Sequence, residues 1–148
     1  MRVLLVGLPG AGASTVGGLL AKRLGWPFLD DTVLLERTGS PARALTLVLG
    51  MPGQLVAAVP GECLDDPADR ARIAAADSHV VWLRCSIPVL SRRLGTKLGD
   101  DTSAALRRLH ADRGPVLEEL ADQVVDTDAM PAGQVANLVI QAVGATEV

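Results

Sequence analysis

The run Gly7-Leu8-Pro9-Gly10-Ala11-Gly12-Ala13-Ser14-Thr15 has the residue types and spacing of a loop that holds phosphate, except at one position. The pattern G-x-x-x-x-G-K-[ST] asks for lysine where this chain has Ala13. Small residues let successive backbone N–H groups curl around an anion. A helix N-terminus behind them adds positive potential, and the Ser14 hydroxyl suits Mg²⁺. What the loop lacks is the mobile positive charge. A glycine-rich turn also occurs simply because a chain bends sharply there, so its context matters. Val3-Leu4-Leu5-Val6 before it reads as a buried strand, and Thr15 to Leu24 after it reads as a helix. Strand, glycine loop and helix together make phosphate binding credible.

Other reactive residue types are sparse. Cys63 and Cys85 are well separated and form no C-x-x-C pair, which gives no support to thiol redox chemistry or zinc. His79 opens an apolar strand and His110 lies in a charged helix, too few imidazoles for a metal cluster. The 148 residues fit one domain. A formal charge of -3 supplies no broad basic field, and 2% aromatics with no tyrosine leave few platforms for stacking bases, so nucleic acid is not an expected partner. No apolar run reaches the ~18 residues of a membrane span. The N-terminus enters a strand at once with no signal-like segment, and the expectation is a cytoplasmic protein with no membrane partner.

The elements that position the loop follow from alternation. Further strands are expected at Trp26 to Asp30, Leu55 to Val59, Ser78 to Leu83 and Gln123 to Asp126. Helices are expected at Pro67 to Ala76, Ile87 to Leu94, Thr102 to Ala111, Pro115 to Ala121 and Ala132 to Ala142. This is an α/β pattern, a parallel sheet covered on both faces, with function at the carboxyl ends of the strands. Between Thr38 and Gly53, glycines and prolines surround Ala44 to Leu49, which reads as one short helix over the sheet. The segment Leu45 to Leu49 is either core or a partner surface. Gly95 to Asp101 is polar and flexible, where a phosphotransferase would place a closing lid.

The order of these signals resembles the shikimate kinase family. The resemblance runs over nearly the whole chain, through the loop itself, Leu24-Gly25-Trp26-Pro27-Phe28-Leu29-Asp30, Glu36-Arg37-Thr38-Gly39, Leu64-Asp65-Asp66-Pro67-Ala68-Asp69-Arg70, Ala111 to Asp122 and Val125-Asp126-Thr127-Asp128. It implies a P-loop three-layer sandwich with a five-stranded parallel sheet in the order 2-3-1-4-5. One domain spans 1–148, with a shortened substrate-binding region about 32–54 and a reduced lid about 95–103. It also implies Mg²⁺ with ATP or ADP as cofactors and a small anionic hydroxylated substrate. Gly10, Ala11, Gly12, Ala13, Ser14 and Thr15 fall on the family's nucleotide loop, Ser14 and Asp30 on its metal site, and Arg113 on the arginine that faces the substrate carboxylate.

Several positions depart from that pattern. The family's second acidic residue falls on Thr32, and Asp31 is an imperfect replacement because neighbours on a strand face opposite ways. The glycine-rich substrate turn becomes Val59-Pro60-Gly61-Glu62, where Pro60 donates no N–H. Beyond the Arg37 of Glu36-Arg37-Thr38-Gly39, Arg43 is the only arginine in the shortened region. The lid arginine is absent, leaving Lys97, Arg107 and Arg108 as nearby charges, with Lys22 a poorer substitute two turns along the first helix. The expectation is a degenerate or mutated member with weak or absent shikimate kinase activity and residual nucleotide binding. The alternatives are a noncatalytic binding or interaction protein, and a kinase for another small alcohol.

Overall fold

Residues Met1–Val148 are described by a computed structural model. Its five parallel strands are β1 (Arg2–Val6), β2 (Phe28–Leu29), β3 (Leu55–Ala58), β4 (Ser78–Arg84) and β5 (Gln123–Asp126), in the sheet order β2-β3-β1-β4-β5. The helices are α1 (Ala13–Leu24), α2 (Asp31–Thr38), α3 (Pro41–Gly50), α4 (Pro67–Ala75), α5 (Ile87–Leu94), α6 (Thr102–Leu120) and α7 (Ala132–Val143), with a 3-10 turn at Gly61–Leu64. The expected P-loop sandwich and strand order are therefore present.

β1 is the middle strand, pairing with β3 on one side and β4 on the other. Its side chains alternate between two cores. Val3 and Leu5 join Val56, Val81, Leu83 and Val125 beneath α1, α5 and α7, while Leu4 and Val6 join Leu55, Ala57, Val80 and Trp82 beneath α2, α3 and α4. A strand buried on both faces must be apolar throughout, which is why Val3 to Val6 shows no polar alternation. Burying each such leucine or valine contributes about 1.5–3 kcal/mol.

The chain refines several expected elements. β2 stops at Leu29, and Asp30 with Asp31 opens α2, a helix not anticipated from the sequence. α3 is longer than the Ala44 to Leu49 core of its pattern because Ser40 caps it, its hydroxyl accepting from the Arg43 N–H at 3.1 Å, and Pro41 fits the first turn. Of the apolar Leu45 to Leu49 stretch, Leu45 and Val48 pack into the core, while Leu47 faces out and is 41% exposed. The expected pair of helices at Thr102 to Ala111 and Pro115 to Ala121 is one helix, α6, running through Pro115. Pro115 removes one backbone donor, but buried Arg113, Gly114 and Leu117 hold the axis on either side of it. No helix is long and apolar enough to cross a membrane.

Candidate functional site

The site forms where β1 gives way to α1. Gly10 and Gly12 take φ of +86° and +93°, a left-handed conformation that favours glycine, and the loop between them turns the chain back over the sheet. At Gly7 an added Cβ would lie 3.0 Å from the Leu83 carbonyl oxygen, so the loop base needs glycine for close approach to β4. α1 has Gly12 as its N-cap and no side-chain cap. The first helical acceptor is the Gly12 carbonyl, which takes the Val16 N–H at 2.9 Å. The N–H groups of Ala13, Ser14 and Thr15 therefore have no partner within the helix, the arrangement that receives an anion.

That uncapped end borders a cavity of about 720 Å³. Gly10, Ala11, Gly12, Ala13, Ser14 and Thr15 line it, together with Asp31, Thr32 and Arg113. Asp30 adjoins it, accepting from the Ser14 hydroxyl at 2.7 Å. The two residues expected to share a metal are thus in direct contact although 16 positions apart. No cluster of three or more His, Cys, Asp or Glu residues suited to a metal exists in the chain. Cys63 is buried and free, its thiol pushed up to about 12 by burial, and Cys85 is also free. His79 shares a 2.8 Å hydrogen bond with the Gln123 side chain in the sheet, and His110 is exposed, so neither approaches the cavity.

Asp31 occupies a different setting from the strand position expected for it. As the first residue of α2 it turns with Asp30 around the same corner, and strand alternation does not separate them. Its carboxyl is pushed up to about 6, first by burial, then by hydrogen bonding to Asp30, against the lowering effect of the Thr32 N–H. The Thr32 N–H donates to Asp31 Oδ1 at 2.8 Å. Pro60 does not line the cavity. Its carbonyl closes the 3-10 turn by accepting the Cys63 N–H at 3.0 Å, while Val59, Gly61 and Glu62 form the wall.

Arg113 reaches the cavity from α6 but is already paired. Its Nε and Nη2 donate to the two carboxylate oxygens of Asp65 at 2.9 and 2.8 Å, which holds the Asp65 carboxyl below the usual range. An added Cβ on Gly61 would sit 2.5 Å from Arg113 Nη1, so glycine there admits the guanidinium. The sequence reading assigned no role to Asp65, Glu62 or Arg93. Arg93, at the end of α5, lines the cavity and donates from Nη1 to the Gly10 carbonyl at 3.0 Å. Its signal in the sequence is an arginine pair in the last turn of the helix after β4. Of the other cations considered, Lys97 lines the cavity, whereas Lys22, Arg107 and Arg108 do not.

Comparison with known proteins follows the same architecture. A shikimate kinase of Halorhodospira halophila is 33% identical over 164 residues, covering 95% of this chain and 92% of its own length. One of Mycobacterium avium is 31% identical over 169 residues, covering 99% of this chain and 95% of its own. The structure of an Acinetobacter baumannii shikimate kinase in complex with shikimate superposes with a TM-score of 0.84 at 23% identity, over 96% of this chain and 92% of that one, which supports the fold. No family profile matches the sequence. With relatives above 30% identity along almost its entire length, and a sheet and phosphate loop of the same plan, the chain belongs to the shikimate kinase family.

Proposed function

We propose that the cavity binds Mg²⁺ with ATP or ADP at Gly10 to Thr15, and that the chain phosphorylates shikimate weakly or not at all. The observation that carries the first half is the uncapped start of α1 beside the Ser14–Asp30 pair. Three free backbone N–H groups and a helix N-terminus accept phosphate oxygens without lysine. A hydroxyl and a carboxylate are hard oxygen donors that suit Mg²⁺, which binds through one or two carboxylates, phosphates and water and needs no larger protein cage. Ser14 and Asp30 would hold the ion, whose chemistry when bound is to neutralise charge on the phosphates. Arg93 and Lys97 supply the positive charge on the α5 side that Ala13 does not.

For transfer, the acceptor oxygen forms a bond to the γ-phosphorus as the bond from that phosphorus to the oxygen bridging the β-phosphate breaks, and ADP leaves. The acceptor's proton passes to Asp31, whose raised carboxyl near 6 matches a base operating around neutral pH. Phosphoryl transfer depends on positioned positive charge, and losing one well-placed donor costs about 2.7–4 kcal/mol, a rate factor of roughly 10²–10³. Ala13 and the Asp65 carboxylate, which offsets the Arg113 charge, both count against shikimate turnover. A noncatalytic binding protein on this scaffold is the second reading, favoured by the same Arg113–Asp65 pair.

Calorimetry with ADP and ATP tests the first half. Heat at millimolar nucleotide in Mg²⁺, reduced in EDTA, is expected; no heat in either condition removes the proposal. A coupled ADP-release assay with shikimate tests the second half, where rapid turnover by the unmodified chain defeats it.

A further inference from the structure

Resting on the nucleotide site just proposed, the end of α5 supplies charge at the place where the loop lacks it. Arg93, Lys97 and Arg113 line the cavity, and they differ in how their charge is spent. Arg113 is matched by Asp65, whereas neither Arg93 nor Lys97 takes part in a salt bridge. Of these two, only Arg93 has its charged group fixed to the phosphate loop. Its Nη1 donates to the Gly10 carbonyl at 3.0 Å, a few positions before the alanine that stands where the pattern asks for lysine. Lys97 lies in the turn beyond α5, its backbone N–H on the Leu94 carbonyl, with no partner that directs its ammonium.

The attachment is also a packed one. An added Cβ on Gly10 would lie 3.1 Å from Leu94 Cγ, so the residue after Arg93 rests directly on the loop that Arg93 holds. A cation in the last turn of a helix suits the helix dipole, yet Arg92 in the same turn does not line the cavity, so the dipole alone does not place Arg93 on the loop. A guanidinium carries five N–H donors in a rigid fork, and here the one that is used meets a neutral carbonyl. The charge of Arg93 therefore stays uncompensated, and its other donors are free. Carbonyl lone pairs repel phosphate oxygens. Arg93 covers such a carbonyl and sets a cation against the same loop whose end presents the free N–H groups of α1.

We propose that Arg93 takes over part of the work of the missing loop lysine, its unused donors binding terminal phosphate oxygens of a nucleoside di- or triphosphate while Nη1 stays on Gly10. The polyphosphate chain is then held from the α5 side as well as by the loop amides, and the contact is to phosphate rather than to the base.

A double-mutant cycle between Arg93→Gln and Ala13→Lys tests this on the whole protein. The calorimetric probes are ADP and inorganic tripolyphosphate, each with Mg²⁺; the second carries no base. Arg93 is exposed, so its replacement leaves the core intact, which a cooperative thermal melt of each variant checks. Arg93→Gln is expected to weaken both probes by about tenfold or more, the effect of losing one charge-assisted hydrogen bond. With Ala13→Lys in place the same change should cost about threefold or less, because the lysine already neutralises the oxygens that Arg93 serves. Arg93→Lys, which keeps the charge without the fork, should bind ADP more tightly than Arg93→Gln. Equal losses in the two backgrounds would make Arg93 a structural anchor of the loop, and a loss confined to ADP would place it on the base or sugar. Either result overturns the inference, as does unchanged binding in Arg93→Gln. ADP heat that appears only with Ala13→Lys overturns it too, while leaving the nucleotide site standing. No ADP heat from the parent or from Ala13→Lys removes the nucleotide site, and the inference with it.

Discussion

At Ala13 the side chain ends at a methyl where phosphate chemistry favours a cation, yet the amides around it keep their direction. Ala13→Lys is therefore expected to tighten ADP binding by about 1.5–3 kcal/mol, the contribution of one charge-assisted hydrogen bond, or roughly ten- to a hundredfold in Kd. Shikimate turnover should stay slow in the same variant, since Thr32 and the Asp65-bound Arg113 are unchanged. Calorimetry and the coupled assay measure the two effects, and a normal rate from this single change would show Ala13 to be the sole defect. Asp31 carries a pH signature. Its native carboxyl near 6 lies above the ordinary 3.8, so the folded state binds the proton more tightly. The stability this brings is complete below about pH 4 and is lost as pH rises through about 6. Asp31→Asn, neutral throughout, should match the parent near pH 4 and exceed it near pH 7.5 by about 1 kcal/mol, after allowance for the solvent screening of a half-exposed group. Urea melts at the two pH values check this, and equal gains at both would refute it.

Helix α6 crosses between the two cores, placing Leu106 in one and Leu117 in the other, with Pro115 in its interior. An interior proline costs a helix about 3 kcal/mol, and alanine returns about 1 kcal/mol of that as unfolded-chain entropy. Pro115→Ala should accordingly stabilise the protein by about 2 kcal/mol in denaturant titration, and destabilisation would mean that Pro115 is needed to set Arg113. The proline explains one misreading of the sequence: proline and glycine are strong breakers locally, whereas burial of Arg113, Gly114 and Leu117 is a tertiary effect that overrides them. α2 was illegible for the opposite reason. Asp31-Thr32-Val33-Leu34-Leu35 buries only Leu34, so its apolar periodicity is faint. The strands and the loop were legible because buried runs and glycine spacing are local, whereas the Ser14–Asp30 pairing was legible only through the family resemblance. The partners of Arg113 and Gly10 were not. Asp65 and Arg93 reach them over 48 and 83 positions, and no local pattern encodes such contacts.

For the whole molecule, a ligand that binds only the native state raises stability in proportion to the logarithm of its concentration. At about 100 times its Kd, ADP with Mg²⁺ should add about 2.7 kcal/mol. For a chain of this size that is roughly 5–10 °C in melting temperature. Chelating the metal should shrink the shift, and a melt indifferent to nucleotide at any concentration would contradict binding to the folded state.

The central place of β1 in the sheet also governs how the protein comes into being. β1 precedes the other four strands in the chain, yet Arg2 pairs with Leu55 on one side and with Ser78 on the other. One edge therefore waits, unpaired and apolar, for β3 at Leu55–Ala58, and the other for β4 at Ser78–Arg84, past the middle of the 148 residues. Such long-range pairing closes slowly. During that interval the nascent segment is exposed to aggregation, and α1 lacks the finished sheet on which it packs. The phosphate loop, written into the first fifteen residues, thus depends for its working shape on strands that follow it by 40 residues and more.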